Sequence, residues 1–150
     1  MEQLIKNALL TDESAAFFAD VLVREGKIAA IGQNLSCAGE TIDAQGLTLM
    51  PAFVDLHCHF RDPGYTHKED IASGCRAAVK GGYTAVNLMA NTNPVCSDME
   101  TVRYVRKKAE EIGLVDVHQC VSVTKAFDGR TTEHLNELDD SVKLISEDGK

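Results

Sequence analysis

From Pro51 onward, short apolar runs alternate with capped, amphipathic stretches, and this alternation limits the fold more than any other feature of the chain. Ala52-Phe53-Val54-Asp55-Leu56-His57 is almost continuously apolar, the pattern of a strand buried on both faces. Thr66-His67-Lys68-Glu69 has the S/T-x-x-E form of a capping box. Ile71, Ala72, Cys75, Ala78 and Val79 follow at helical spacing, and Gly81-Gly82 ends the helix. Residues 83–89 read as a second strand. Ser97-Asp98-Met99-Glu100 is a second capping box, with Val102, Val105, Ala109 and Ile112 on one helical face and Gly113 as the stop. Residues 114–121 and 141–145 supply a third and a fourth strand, separated by a short helix over 131–138. Strands and helices in this order predict an α/β fold of parallel βαβ units. Four strands and three helices are half of a (β/α)8 barrel or an open four-stranded sheet; because no helix follows to cover the fourth strand, the N-terminal part of a barrel is expected, with the chain truncated after that strand.

The segment before Pro51 has a different texture. Leu4 to Leu10 is a short apolar run, and Ala19 to Val23 and Ile28 to Gly32 flank the turn Arg24-Glu25-Gly26-Lys27, a hairpin signal. Thr41-Ile42-Asp43 and Leu47 to Met50 straddle Gly46. The expected organisation is therefore a small β-sandwich segment over 1–50 and the first half of a barrel over 51–150. With 23 acidic against 15 basic side chains, the formal charge is −8, a field that repels phosphate backbones and excludes nucleic acid as a partner. There is no run of about 18 apolar residues to span a membrane. The N-terminus lacks the basic start and apolar stretch of a signal peptide, so a cytoplasmic protein is expected. The odd set Cys37, Cys58, Cys75, Cys96 and Cys120, without a CxxC pair, fits reduced thiols rather than a disulfide framework.

Candidate chemistry collects where strands end. In His57-Cys58-His59, the residues at i and i+2 share a strand face, so two imidazoles aim together, Cys58 points away, and Asp55 lies on the imidazole face. Two imidazoles form half of a typical zinc site, although an isolated HxH is equally compatible with polar residues at a strand end. Arg61 follows in a loop shaped by Pro63 and Gly64 and is suited to gripping a carboxylate; the alternative is an ordinary surface pair with Asp62 or Glu69. Asn91 ends the second strand, as a ligand-facing amide or as a turn residue of Asn-Thr-Asn-Pro. Asp148 ends the fourth, within Ser146-Glu147-Asp148-Gly149, as a third metal-ligand candidate or a plain turn acid. His67, His118 and His134 sit in a capping box, in mid-strand and in a helical stretch, and are read as structural or solvated.

The stretch from Pro51 to Gly64, with Gly81-Gly82-Tyr83-Thr84, Met89-Ala90-Asn91-Thr92-Asn93-Pro94 and Ser146-Glu147-Asp148-Gly149 in order, resembles the signature blocks of class I dihydroorotases of the amidohydrolase superfamily. The resemblance covers the whole chain. It implies reversible hydrolysis of (S)-dihydroorotate to N-carbamoyl-L-aspartate in pyrimidine synthesis, with one or two zinc ions as cofactor. It implies His57, His59 and Asp148 as metal ligands, Arg61 and Asn91 as the residues that hold the substrate carboxylate, and His59 as a further substrate-binding residue close by. A general acid/base aspartate and two further histidine ligands are expected beyond residue 150, so the chain alone is expected to be inactive. Two departures stand out: Ala90 where the family usually has proline, and Glu147 where it usually has aspartate. The second leaves the ligand between Glu147 and Asp148, with Asp148 favoured because it precedes glycine. A hydantoinase or allantoinase, and a non-catalytic dihydroorotase-like subunit, are the competing readings. A homodimer or a complex with another pyrimidine-pathway enzyme is compatible with the resemblance.

Overall fold

A computed structural model describes residues 1–149; Lys150, the last residue of the expected second segment, lies outside the described residues. The chain divides into two compact units, Met1–Pro51 and Ala52–Lys150.

The first unit is one five-stranded sheet. Strands β1 (Glu2–Thr11), β2 (Ala16–Arg24) and β3 (Lys27–Gly32) form an antiparallel meander, and β4 (Glu40–Asp43) and β5 (Thr48–Leu49) pair in parallel with successive parts of β1. Ala8, Leu10, Ala19, Val21 and Ala44 form its apolar cluster. The pairing of β1 with β2 shifts between Ile5 and Ala8, where Asn7 takes a positive φ of 61°. Asparagine tolerates that conformation. The buried Asp20 carboxylate then accepts from the Asn7 and Leu35 amides at 2.9 and 3.0 Å, so its desolvation is met by backbone donors.

The second unit is a mixed α/β layer. Parallel strands β6 (Phe53–Cys58), β7 (Tyr83–Leu88) and β8 (Asp116–Gln119) carry helices α1 (Ile71–Lys80) and α2 (Met99–Ile112) between them. Phe60, Ile71, Cys75, Ala78, Val86, Leu88, Val105, Ala109 and Val117 make the core between sheet and helices. Both helices start later than the sequence pattern predicts, α1 by four residues and α2 by one. α1 is capped by Asp70, whose carboxylate accepts from the Ser73 amide at 2.7 Å while Ser73 answers the Asp70 amide, so Thr66 to Glu69 is a turn and not the capping box. α2 is capped by Asp98, which accepts from the Thr101 amide at 2.8 Å. The expected cap Ser97 instead meets the Ser122 hydroxyl at 2.7 Å. Gly113 closes α2 with φ 64°, the left-handed stop that glycine supplies without a Cβ clash.

Three further expectations are corrected. Residues 141–145 form no strand: a single bridge joins Val121 to Ile145, because Asp139 turns the chain by binding the Ser141 amide at 2.9 Å and only one pair comes into register. The expected helix over 131–138 is a short 3-10 turn, Glu133–Glu137. And β6 is not buried on both faces. Phe53, Val54 and Leu56 are 48%, 58% and 64% exposed, because helices cover only one side of the three-stranded sheet among the described residues.

Candidate metal centre

The sequence at the end of β6 places its side chains through an irregularity. Pairing of β6 with β7 slips between Asp55 and Cys58, so two residues of β6 face one of β7. Such a bulge re-aims side chains at a strand end. Asp55 consequently lines a cleft with Cys58, His59, Glu69 and Gly74, close enough to the Cys58 thiol for its charge to act on it, and stays outside the cluster that His57 and His59 form with Asp148. Asp55 instead accepts from the His57 amide at 2.9 Å. The Cys58 thiol points inward to the Asn87 carbonyl at 3.5 Å, and burial, followed by the nearby Asp55 charge, pushes it up to about 12.

His57 and His59 are brought together, ring centroids 5.1 Å apart. Asp148 joins them from the far end of the chain: its Oδ1 lies 3.2 Å from His57 Nε2 and 3.9 Å from His59 Nε2. The bridge at Val121 and the Ser146 amide bond to the Val121 carbonyl, 3.0 Å, bring that segment beside β8. One donor atom from each of the three residues lies within 4.8 Å of the others. The carboxylate is 9% exposed, whereas His57 is open at 57%, so the cluster is anchored at its base and accessible at its rim.

Asn91 bridges His59 and Asp148. A carboxylate only accepts hydrogen bonds, so the amide nitrogen of Asn91 must face Asp148, to which it donates. Its oxygen then faces His59 Nδ1 at 3.0 Å and requires a proton there. A neutral His59 with its proton on Nδ1 presents the Nε2 lone pair on the side of Asp148, the arrangement that a metal-ligating imidazole needs. The sequence reading takes Asn91 as a substrate contact; its amide is already engaged with His59 and Asp148, with one N–H remaining.

Arg61 has neither of its ordinary surface partners. Asp62 is buried and occupied by Tyr104 and Lys108 of α2, each at 2.9 Å, and Glu69 is bonded to the Ser73 hydroxyl. The guanidinium makes one long contact, 3.5 Å, to the Asn91 carbonyl and lines a cleft of about 430 Å³ with Asn91 and Asp148. Gly64 holds the two rim loops together: Asn93 donates to the Pro63 carbonyl at 3.0 Å, and a Cβ on Gly64 would stand 2.1 Å from the Asn93 oxygen. Glu147 is separated from the cluster. It accepts from the Thr124 amide at 2.9 Å and from the Thr124 hydroxyl, and those bonds hold its carboxyl below the usual range.

The remaining histidines stay apart from the centre. His67 packs edge-on to Tyr65, His118 lies half-buried in β8, and buried His134 Nε2 meets the Ser122 carbonyl at 3.0 Å. Sequence reasoning missed Tyr65, Lys68 and Phe127, which line the cleft beside Arg61. The signal available for Lys68 was Asp70-x-x-Ser73, a competing cap that frees residues 66–69 from the helix start.

A family model described as dihydro-orotase-like matches residues 46–148, more than half of the chain. The chain belongs to the dihydro-orotase-like family. Within that family it is 52% identical, over 99% of its length, to the dihydroorotase of Clostridium botulinum (strain Eklund 17B / Type B), and 41% identical over its full length to the dihydroorotase of Ruminiclostridium cellulolyticum. It spans 38% and 36% of those two proteins. Among solved structures, the L-hydantoinase of Arthrobacter aurescens superposes with a TM-score of 0.77 at 23% identity, over 96% of this chain and 35% of that one, which speaks for the fold alone. The D-hydantoinase of a Thermus species gives 0.68 at 32% identity, over 90% and 30%. No helix of this chain is long and apolar enough to cross a membrane.

Proposed function

We propose that this chain carries the first part of a zinc-dependent dihydroorotase, which reversibly hydrolyses (S)-dihydroorotate to N-carbamoyl-L-aspartate. The observation that carries the reading is the His57, His59 and Asp148 cluster with the His59 tautomer fixed by Asn91. Two ligand atoms each about 2.0–2.1 Å from one zinc ion at a tetrahedral angle stand roughly 3.3 Å apart. The 3.2 and 3.9 Å separations here, from two imidazoles and an acceptor-only carboxylate, fit that donor set. His57 and His59 would supply neutral Nε2 ligands and Asp148 the charge-compensating oxygen. When bound, zinc supplies Lewis-acid polarisation of the ring carbonyl and a water acidic enough to ionise near neutral pH.

The chain's own residues would orient the substrate. Arg61, a cation without a carboxylate partner among the described residues, faces the same cleft as Asp148 and suits the carboxylate that dihydroorotate carries. A hydantoin ring lacks that carboxylate, which favours dihydroorotate over the substrates named for the structural neighbours. No second carboxylate joins the cluster among the described residues. The acid that relays a proton to the leaving nitrogen is assigned in this reading to sequence beyond them. The same reading takes residues 1–50 as part of a β-sandwich, 51–150 as the first half of the barrel, and the cytoplasm as the compartment. A homodimer, or a complex with another enzyme of the pathway, belongs to it as well.

Equilibrium dialysis of zinc against the purified chain tests the centre. The expected result is weak binding without turnover, lowered at least tenfold by Asp148→Asn and left unchanged by Glu147→Gln. Loss with the second variant and not the first would move the ligand to Glu147. Dihydroorotate hydrolysis tracking bound zinc would show that the remaining groups are unnecessary.

A further inference from the structure

We propose that Lys68 is a second cation of the substrate's anion subsite, acting with Arg61 on the carboxylate and setting selectivity for acidic over neutral rings. The proposal rests on the dihydroorotase reading and extends it to a residue outside the assigned set.

Two turns of backbone put Lys68 beside Arg61. The Tyr65 amide donates to the Arg61 carbonyl at 2.9 Å, and the Lys68 amide to the Tyr65 carbonyl at 2.8 Å, so positions 61, 65 and 68 are folded onto one another. All three side chains line the cleft of about 430 Å³ that also holds Asn91 and Asp148. The Lys68 ammonium sits 5.4 Å from the Tyr65 ring centroid, a cation–π contact that keeps it over the cleft without neutralising it.

The nearby acids are taken elsewhere. Asp62 belongs to Tyr104 and Lys108, Glu69 to Ser73, and Asp148 to Asn91 and the imidazoles. Neither Arg61 nor Lys68 forms an ion pair among the described residues. Two unpaired cations lining one cleft repel each other until an anion enters between them, so a carboxylate gains from both while a neutral ring gains from neither. A freely solvated lysine is the ordinary fate of an exposed Lys. Here the Tyr65 ring and the diversion of Asp62 and Glu69 set Lys68 apart from that fate.

The test compares binding of dihydroorotate with that of dihydrouracil, the same ring without the carboxylate, to the zinc-loaded chain by calorimetry. Lys68→Met is expected to weaken dihydroorotate binding about tenfold, the loss of one charge-assisted contact, with dihydrouracil and zinc affinities unchanged. Lys68→Arg should restore most of the difference. Equal losses for both rings, or undiminished preference in Lys68→Met while Arg61→Met abolishes it, would overturn the role of Lys68 and leave the dihydroorotase reading intact. Absence of any preference in the unaltered chain would overturn both. Circular dichroism of each variant establishes that folding is retained, and the arginine variant separates a charge effect from a packing one.

Discussion

Gly64→Ala is the substitution on which the description of the rim can fail most clearly. Gly64 has a φ of 92°, in the left-handed half of backbone space, where a Cβ alone costs about 1–2 kcal/mol. The new Cβ would also stand 2.1 Å from the Asn93 carbonyl oxygen and 2.5 Å from the Asn93 Cβ. Ordinary carbon contacts lie near 3.5 Å, so the overlap exceeds an ångström, and its first neighbour is backbone rather than a flexible side-chain tip. The Asn93 amide is meanwhile bonded to the Pro63 carbonyl, so the loops cannot separate without losing that bond. Overpacking of this kind costs about 1–3 kcal/mol, which brings the expected total to roughly 3–5 kcal/mol. Gly129→Ala provides the control: its φ is 71° and a Cβ there meets nothing within 4 Å, so only the conformational part, about 1–2 kcal/mol, is expected. Urea unfolding of both variants, compared at equal slope, yields the difference directly. If the two variants lie within about 0.5 kcal/mol of each other, the close approach of the rim loops is wrong, and with it the placement of Arg61 against Asn91.

Two other outcomes follow from groups held away from their ordinary pKa. The Tyr104 hydroxyl and the Asp62 carboxylate hold the Lys108 ammonium above the ordinary lysine range, so its contribution is complete below about pH 10 and fades as pH rises through the higher folded value. The urea midpoint of Lys108→Met should therefore trail the unaltered chain by a constant amount up to about pH 10 and converge on it above that; a gap that widens with alkali would contradict the pairing. Burial pushes the Cys58 and Cys96 thiols up to about 12 and Cys120 to about 11, leaving them almost without thiolate at pH 8. Iodoacetamide at that pH should modify Cys37 first and reach those three only after urea is added, and mass spectrometry showing Cys120 labelled as fast as Cys37 would refute it.

Much of the centre is legible in the sequence because strand ends are legible. His57, His59, Asn91 and Asp148 each stand where an apolar run gives way to turn residues, and the structure brings all four together. Asp55 shows where that logic stops. Alternation places it with the histidines, but a bulge, which depends on pairing with β7 about thirty residues on, leaves it outside the His57, His59 and Asp148 cluster, in a cleft beside Cys58 and His59. Asp62 was invisible as an anchor for the same reason: Lys108 and Tyr104 lie on α2, and no local pattern links them to the loop. Residues 141–145 have the apolar character of a strand yet form one bridge, since Asp139 and Ser141 turn the chain locally and pairing with Val121 is a tertiary outcome. The proton on His59 was out of reach altogether. Residue type gives an imidazole, but its tautomer follows from Asn91, whose orientation follows in turn from Asp148. Asp148 thus governs, through Asn91, how the His59 imidazole is presented at the end of β6. That ordering ties the centre to the Val121 bridge: a variant that loosens the bridge should disturb His59 before it disturbs β6, because the imidazole depends on Asp148 through a single amide while the strand is held by its own pairing with β7.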